Sequence, residues 1–328
     1  MTSTSAIEVE DLVRTYGDVR AVDGVSFTAH RGQVLGLLGP NGSGKTTTVR
    51  MLATLLPPTG GRAAVLGHDV VTDAARVRSR IGLTGQYAAV DEALSGRDNL
   101  YLIGRLLDLP RRDARARADE LIERFGLVDA AARRVRTYSG GMRRRLDLAA
   151  SLVGRPEALF LDEPTTGLDP WHRNEVWDSV RQLAQEGVTV LLTTQYLEEA
   201  DQLAHDLVVL DHGRVIASGT AAELKSRAGG RRLFVRPELP HDAALVAAVV
   251  AAETGEPPAV EPSGEVTAAS TEAGAIRRVE DRLDAEGVAV AEIGLRLPSL
   301  DDVFLSLTGH ASEPDHPSAP EPVSTGGA

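Results

Sequence analysis

The sequence predicts an α/β fold that carries a helical insertion and is followed by a smaller α+β domain. Three observations support this. Apolar runs at residues 34–38, 158–161 and 189–193 have the length and composition of strands buried on both faces. Segments of helical periodicity stand between them. A separate strand–helix pattern begins after Lys225.

Taken in order, residues 9–14 and 21–28 read as short strands around the turn Tyr16-Gly17-Asp18. The run 34–38 leads into a glycine-rich loop, and a helix is expected over about 45–56, closed by Pro57-Pro58. A further strand is expected at 80–84. Residues 85–153 turn helical: Pro110 suits a first helical position, and Ala114, Ala118, Leu121, Ile122 and Phe125 recur at helical spacing until Gly126. Strands then resume at 158–161 and 189–193, on either side of a helix around 174–185. Residues 207–211 and 214–218 form a hairpin about His212-Gly213.

Beyond Lys225 the pattern is a strand at 233–236, a helix at 242–252 and a hairpin over 259–270 broken at Pro262-Ser263-Gly264. A helix at 272–286 and a strand at 288–297 complete the β-α-β-β-α-β order of a ferredoxin-like domain. Residues 310–328 hold little to bury and are expected to be disordered.

Composition narrows the function. A net charge of −12 argues against nucleic-acid binding, which wants a basic face. Without cysteine there is no disulfide framework and no thiolate metal site, which points to a reducing compartment. The N-terminus lacks the pattern of a signal peptide. No apolar run reaches the ~18 residues of a membrane span, so membrane contact is expected only through a partner. Of 35 Lys+Arg, only Lys45 and Lys225 are lysines. A lysine kept in an arginine background implies a need for a compact ammonium, and Lys45 is that case.

Gly39-Pro40-Asn41-Gly42-Ser43-Gly44-Lys45-Thr46 matches G-x-x-x-x-G-K-[ST] between a strand and a helix. The glycines let backbone N–H groups converge on phosphate oxygens, and the helix N-terminus adds its own. This is a P-loop nucleotide site, extended by Thr47. Lys45 is expected to bridge the β- and γ-phosphates and the Thr46 hydroxyl to ligate Mg²⁺. Residues 158–161 end in Asp162-Glu163, where Asp162 suits the Mg²⁺ and Glu163 the general base that polarises water. Tyr138-Ser139-Gly140-Gly141-Met142 precedes an amphipathic stretch and forms a second helix N-terminus with anion-binding groups. One nucleotide cannot readily use both sites of one compact subunit. Two copies set head to tail can, in an isologous dimer with ATP at the seam.

The loop Gly39 to Thr46, Gln86, Ser139-Gly140-Gly141, Asp162-Glu163 and Gly167-Leu168-Asp169 together resemble the ATPase cassette of ATP-binding cassette (ABC) transporters, in the family's order, over about residues 6–225. The resemblance implies an ABC ATPase core with antiparallel β and helical subdomains, the latter at about 86–153, in a domain ending near residue 225. An accessory domain would fill 226–309. It further implies that Gln86 touches Mg²⁺ and faces the membrane partner, and that Ser139 to Gly141 clamp ATP in trans. By the same resemblance Asp169 connects the two sites and Tyr16 stacks on adenine. The signature departs from the family's at Tyr138 and Met142. The family's switch histidine is replaced by Gln195, whose amide can hold a γ-phosphate oxygen but cannot titrate.

Residues 193–201 and 298–309 resemble the daunorubicin-resistance-type drug-exporter ATPases. That resemblance implies export of a drug, antibiotic or other hydrophobic compound through a separate integral membrane permease, at the cytoplasmic face of the membrane. Tyr87 to Asp91 is the expected docking surface. Leu300, Val303, Phe304 and Leu307 fit the inward face of a closing helix. Two other readings are an uptake-system ATPase and a soluble ABC-type ATPase acting on nucleic acid or ribosomes. The single cassette, the missing zinc cysteines and the acidic balance weigh against the latter.

Overall fold

In the computed structural model, residues 5–85, 90–227, 231–270, 272, 274–296, 299–300 and 303–304 are described. The chain divides into two compact units, with the boundary between Thr220 and Ala221.

The first unit opens with β1 (Ser5–Tyr16) and β2 (Val19–His30), an antiparallel pair longer than the expected strands. Ile7, Val9 and Leu12 turn inward, and the break in their alternation falls at Asp11, whose φ is 46°. That extra residue makes a bulge, which hides the strand from a strict period-two reading. β3 (Val34–Leu38) is buried throughout and leads through the loop into α1 (Lys45–Leu52). The helix stops short of the expected residue 56 because Thr54 takes a φ of 62°. The N–H groups of Leu55 and Leu56 both turn back to the Arg50 carbonyl.

β4 (Gly60–Val65) and β5 (His68–Asp69) complete an antiparallel sheet of order β2-β1-β4-β5. Neither was expected, since Gly60-Gly61 carries no strand signal. α2 (Ala74–Arg78) and β6 (Ile81–Thr84) follow. The helical segment comprises α3 (Gly96–Leu106), α4 (Arg111–Arg124) and α5 (Gly140–Ser151). Pro110 occupies the cap position before α4 rather than its first turn, and Gly126 (φ 62°) ends the segment after Phe125.

β7 (Ala158–Asp162), α6 (Pro170–Gln185), β8 (Thr189–Thr194), α7 (Leu197–Leu203), β9 (Asp206–Asp211) and β10 (Arg214–Gly219) close the unit. Its main sheet has the order β10-β9-β3-β8-β7-β6, parallel except for β10. Both faces are covered. Leu159, Leu161, Val190 and Leu192 pack with the helices α3 to α6, while Leu37, Phe160, Leu191 and Val208 pack with β1, β2 and α1. This explains the unbroken apolar runs. The C-terminal ends of β3, β7 and β8 therefore meet at one edge, where ligands of such sheets gather.

In the second unit, α8 (Ala221–Arg227) is followed by β11 (Arg232–Pro237), α9 (Ala243–Thr254), β12 (Ala259–Val260), β13 (Val266–Ala269), α10 (Ala275–Ala285) and β14 (Val290–Arg296). The sheet order β12-β13-β11-β14, antiparallel throughout, is that of the ferredoxin-like arrangement. Val246, Val250, Val279 and Leu283 of the helices pack on Leu233, Val235, Val266 and Ala268. Leu300, Val303 and Phe304 are buried. Leu307 and residues 310–328 lie outside the described residues. Among the described residues no helix is long and apolar enough to cross a membrane.

Candidate active site

The loop after β3 fits backbone-mediated anion binding. A Cβ at Gly39 would lie 2.3 Å from the Leu210 carbonyl oxygen, and one at Gly44 (φ 103°) would lie 2.6 Å from that of Ala21. Neither position accepts a side chain. No side chain caps α1, and its first turn holds no acidic residue. Its N-terminal N–H groups thus stay open to an anion. Among the described residues the buried Ser43 hydroxyl has no hydrogen-bond partner.

Lys45 is 4% exposed. Its Nζ donates to the carbonyls of Gly39 (2.8 Å) and Pro40 (3.0 Å) and sits 3.6 Å from Glu163 Oε1. Burial lowers the pKa of this ammonium, against the opposing pull of Glu163 and Asp162. The loop therefore presents a buried cation held by two neutral carbonyls and the Glu163 carboxylate, and phosphate oxygens can replace the carbonyls.

Asp162 ends β7 and pairs in parallel register with Thr193 on β8. Its Oδ1 accepts from the hydroxyls of Thr193 (2.6 Å) and Thr46 (3.1 Å). Glu163 has a φ of 51°, uncommon for a residue with a side chain. Its N–H donates to the Thr193 carbonyl (3.1 Å) and hydroxyl (3.0 Å). Thr193 thus holds both acidic residues. The sequence marked it as a strand residue and as the first of the segment 193–201 but gave it no role at the site, and the parallel register that faces it to Asp162 is the signal that finds it.

A second cluster forms at the start of α5. Ser139 caps that helix, its Oγ accepting from the Met142 N–H at 3.2 Å. Asp169 caps α6 and accepts from the N–H of His172 (3.1 Å), while the His172 ring reaches Asp169 Oδ2 at 2.5 Å. These bonds from His172 hold the Asp169 carboxyl below its ordinary pKa. The same imidazole lies over Gly141, where a Cβ would be 2.0 Å from Cδ2. The fold thus joins Gly141 to Asp169 through His172, a residue the sequence reading passed over. Among the described residues, no hydrogen bond or ion pair ties Ser139, Gly140 or Gly141 to the phosphate loop.

Gln195 is half-buried directly after β8. Tyr16 ends β1 exposed, with the Arg14 guanidinium 4.7 Å from its ring centroid. Gln86 and Tyr87 to Ala89 lie outside the described residues. No group of three or more His, Cys, Asp or Glu side chains forms a metal cluster among the described residues. One carboxylate beside one hydroxyl suits Mg²⁺, which keeps waters and takes phosphate oxygens as further ligands.

A phosphate loop whose lysine, hydroxyl and facing carboxylates converge at the ends of parallel strands defines a P-loop nucleoside triphosphatase. The ABC transporter family profile matches residues 22–166. The chain is 56% identical, over 94% of its length and 96% of the relative's, to the daunorubicin resistance ATP-binding protein DrrA2 of Streptomyces coeruleorubidus. It is 52% identical, over 94% of each chain, to the daunorubicin/doxorubicin resistance ATP-binding protein DrrA of Streptomyces peucetius. Among solved structures, cbiO1 of Clostridium perfringens, part of the ABC transporter complex cbiONQ, matches with a TM-score of 0.64 and 27% identity. That match covers 68% of this chain and 92% of cbiO1. The chain belongs to the ABC transporter family, among its drug-resistance ATP-binding subunits, and is an ATP-binding and ATP-hydrolysing protein.

Proposed function

We propose that the first unit hydrolyses ATP to drive efflux of a drug, antibiotic or other hydrophobic compound through a separate membrane permease, from the cytoplasmic face of the membrane. The convergence of Lys45, Thr46, Asp162 and Glu163 at one edge of the sheet carries the hydrolysis part of this reading, and the similarity to drug-resistance ATP-binding proteins supports the efflux part. Bound Mg²⁺ would neutralise charge on the β- and γ-phosphate oxygens. Thr46 and Asp162 are its protein ligands on this reading, with Gln86. Lys45 exchanges the carbonyls of Gly39 and Pro40 for phosphate oxygens. Glu163 then accepts the proton of the attacking water. Gln195 donates its amide to a γ-phosphate oxygen, without a proton role. Tyr16 offers a ring face for adenine.

The second cluster belongs to the partner's nucleotide in a head-to-tail pair of this chain. Ser139 supports that role, because its Oγ accepts within the cap while, among the described residues, its O–H has no acceptor. Asp169, linked to Gly141 through His172, stands where the two sites would communicate.

The test uses the full chain co-expressed with a candidate integral membrane permease. ATPase rate is measured with and without candidate hydrophobic substrates. Glu163→Gln should bind ATP normally and barely turn over, and the wild-type rate should rise with a transported compound. Full activity in Glu163→Gln would overturn the assignment.

A further inference from the structure

Helix α5 begins at the Ser139 cap and carries Arg144 inward. The side chain is 15% exposed. Its Nε donates to the Pro164 carbonyl at 2.5 Å, one terminal nitrogen to the Glu163 carbonyl at 3.1 Å, and the other to the Gly85 carbonyl at 3.2 Å. The ion pair with Asp147 is longer, at 3.4 Å. Burial lowers the pKa of this guanidinium, against the pull of Asp147, Glu199 and Asp162.

An arginine that merely filled space here would need only its carboxylate partner. Instead, two of its donors grip the consecutive carbonyls of Glu163 and Pro164. These belong to the backbone whose φ of 51° is costly for a residue with a Cβ and must be over-determined by its surroundings. Thr193 holds the N–H side of Glu163 and Arg144 the C=O side. A planar fork with five donors can serve diverging carbonyls at once, and an ammonium cannot.

We propose that Arg144 is a positioning residue for hydrolysis, fixing the carbonyls of Glu163 and Pro164 so that the Glu163 carboxylate is aimed at the attacking water. The inference rests on the reading of Glu163 as general base. Because α5 also begins at Ser139, the helix that would meet the partner's nucleotide is the one that holds Glu163 in its own site.

The test compares Arg144→Lys, Arg144→Gln, Glu163→Gln and the Arg144→Lys/Glu163→Gln double variant, each as the full chain with its membrane partner. ATP dissociation constant, KM and kcat are measured for each. Arg144→Lys and Arg144→Gln should bind ATP within about twofold of wild type while kcat falls by about 30- to 100-fold, the scale of a base misplaced by ~1 Å. The double variant should be no slower than Glu163→Gln alone, since a residue acting through Glu163 has nothing left to lose. Wild-type kcat in both Arg144 variants, with Glu163→Gln inactive, would sink this inference alone. ATP affinity lost in step with kcat, or a double variant far slower than Glu163→Gln, would reduce Arg144 to a structural role. Full turnover in Glu163→Gln would instead remove the base assignment.

Discussion

Replacing Thr193 with valine tests how Asp162 and Glu163, the carboxylates proposed for the active site, are held. Valine is nearly isosteric and fits a side chain that is fully buried, so packing is conserved. What disappears is the hydroxyl that donates to Asp162 at 2.6 Å and accepts from the Glu163 N–H at 3.0 Å. The Glu163 N–H keeps the Thr193 carbonyl at 3.1 Å, so this loss is minor. Among the described residues Asp162 keeps the longer Thr46 donor, at 3.1 Å. A hydrogen bond to a buried charge contributes about 1.5–3 kcal/mol, and the expected destabilisation is roughly 2–3 kcal/mol. With a urea m-value of about 2–3 kcal/mol/M, the unfolding midpoint should fall by about 1 M.

Tryptophan emission reads this transition for the first unit, because Trp171 and Trp177 both lie in it and Trp177 is buried. If Asp162 holds Mg²⁺ as proposed, activity should fall by about 10- to 100-fold, as for loss of a group that orients a metal ligand. Thr193→Ser keeps the hydroxyl and loses one methyl, at about 1 kcal/mol with near-normal turnover. Equal impairment of the serine and valine variants, or a valine variant as active and stable as wild type, would refute the reasoning.

Two further perturbations follow from the same geometry. Glu199 is fully buried on α7, and its Oε1 accepts from Thr165 (2.8 Å) and Trp177 (3.1 Å). Burial raises its pKa, so the fold binds this proton more tightly than the unfolded chain does. Stability is therefore lost as pH rises from the ordinary carboxylate range through the raised value. Glu199→Gln should gain on wild type in urea unfolding as pH increases, and a difference that does not change with pH would disprove the burial argument. Gly44→Ala forces a Cβ to within 2.6 Å of the Ala21 carbonyl, whereas Gly42→Ala (φ 81°) meets nothing within 4 Å. The Gly42 variant should lose only the left-handed strain of about 1–2 kcal/mol, while Gly44→Ala should lose clearly more and bind ATP at least tenfold more weakly. Equal stabilities in thermal melts would refute it.

The parts of the fold legible in the sequence are those where burial dictates composition. Residues 34–38, 158–161 and 189–193 are apolar throughout because both faces of the sheet are covered. The β-α-β-β-α-β order of the second unit is readable because Gly264 and the helical valines punctuate it. β4 and β5 are not readable. Gly61 fits where a Cβ would strike the Asp11 carbonyl at 2.1 Å, so close backbone approach selects glycine, which carries no strand propensity.

The same distinction runs through the site. Gly39, Gly44, Lys45, Thr46, Asp162 and Glu163 stand in short contiguous motifs because one loop and one strand end supply them. Their supports are set by pairings that no local pattern encodes. Thr193 reaches Asp162 only through the register of β7 against β8, and a slip of one residue would turn it to the opposite face. Arg144 is one of three consecutive arginines, Arg143-Arg144-Arg145, a run that reads as a solvated face. Helical geometry separates their directions by about 100° each, so the neighbours make different contacts. Arg143 reaches Glu92 at 3.0 Å, Arg145 reaches Glu175 at 3.7 Å, and Arg144 reaches the backbone beside Glu163. A charge run therefore hides an inward member whenever the helix beneath it is packed on one side. Arg143 and Arg145 also donate to backbone carbonyls, those of Tyr138 and Phe125, so what sets Arg144 apart is that its carbonyl partners are Glu163 and Pro164.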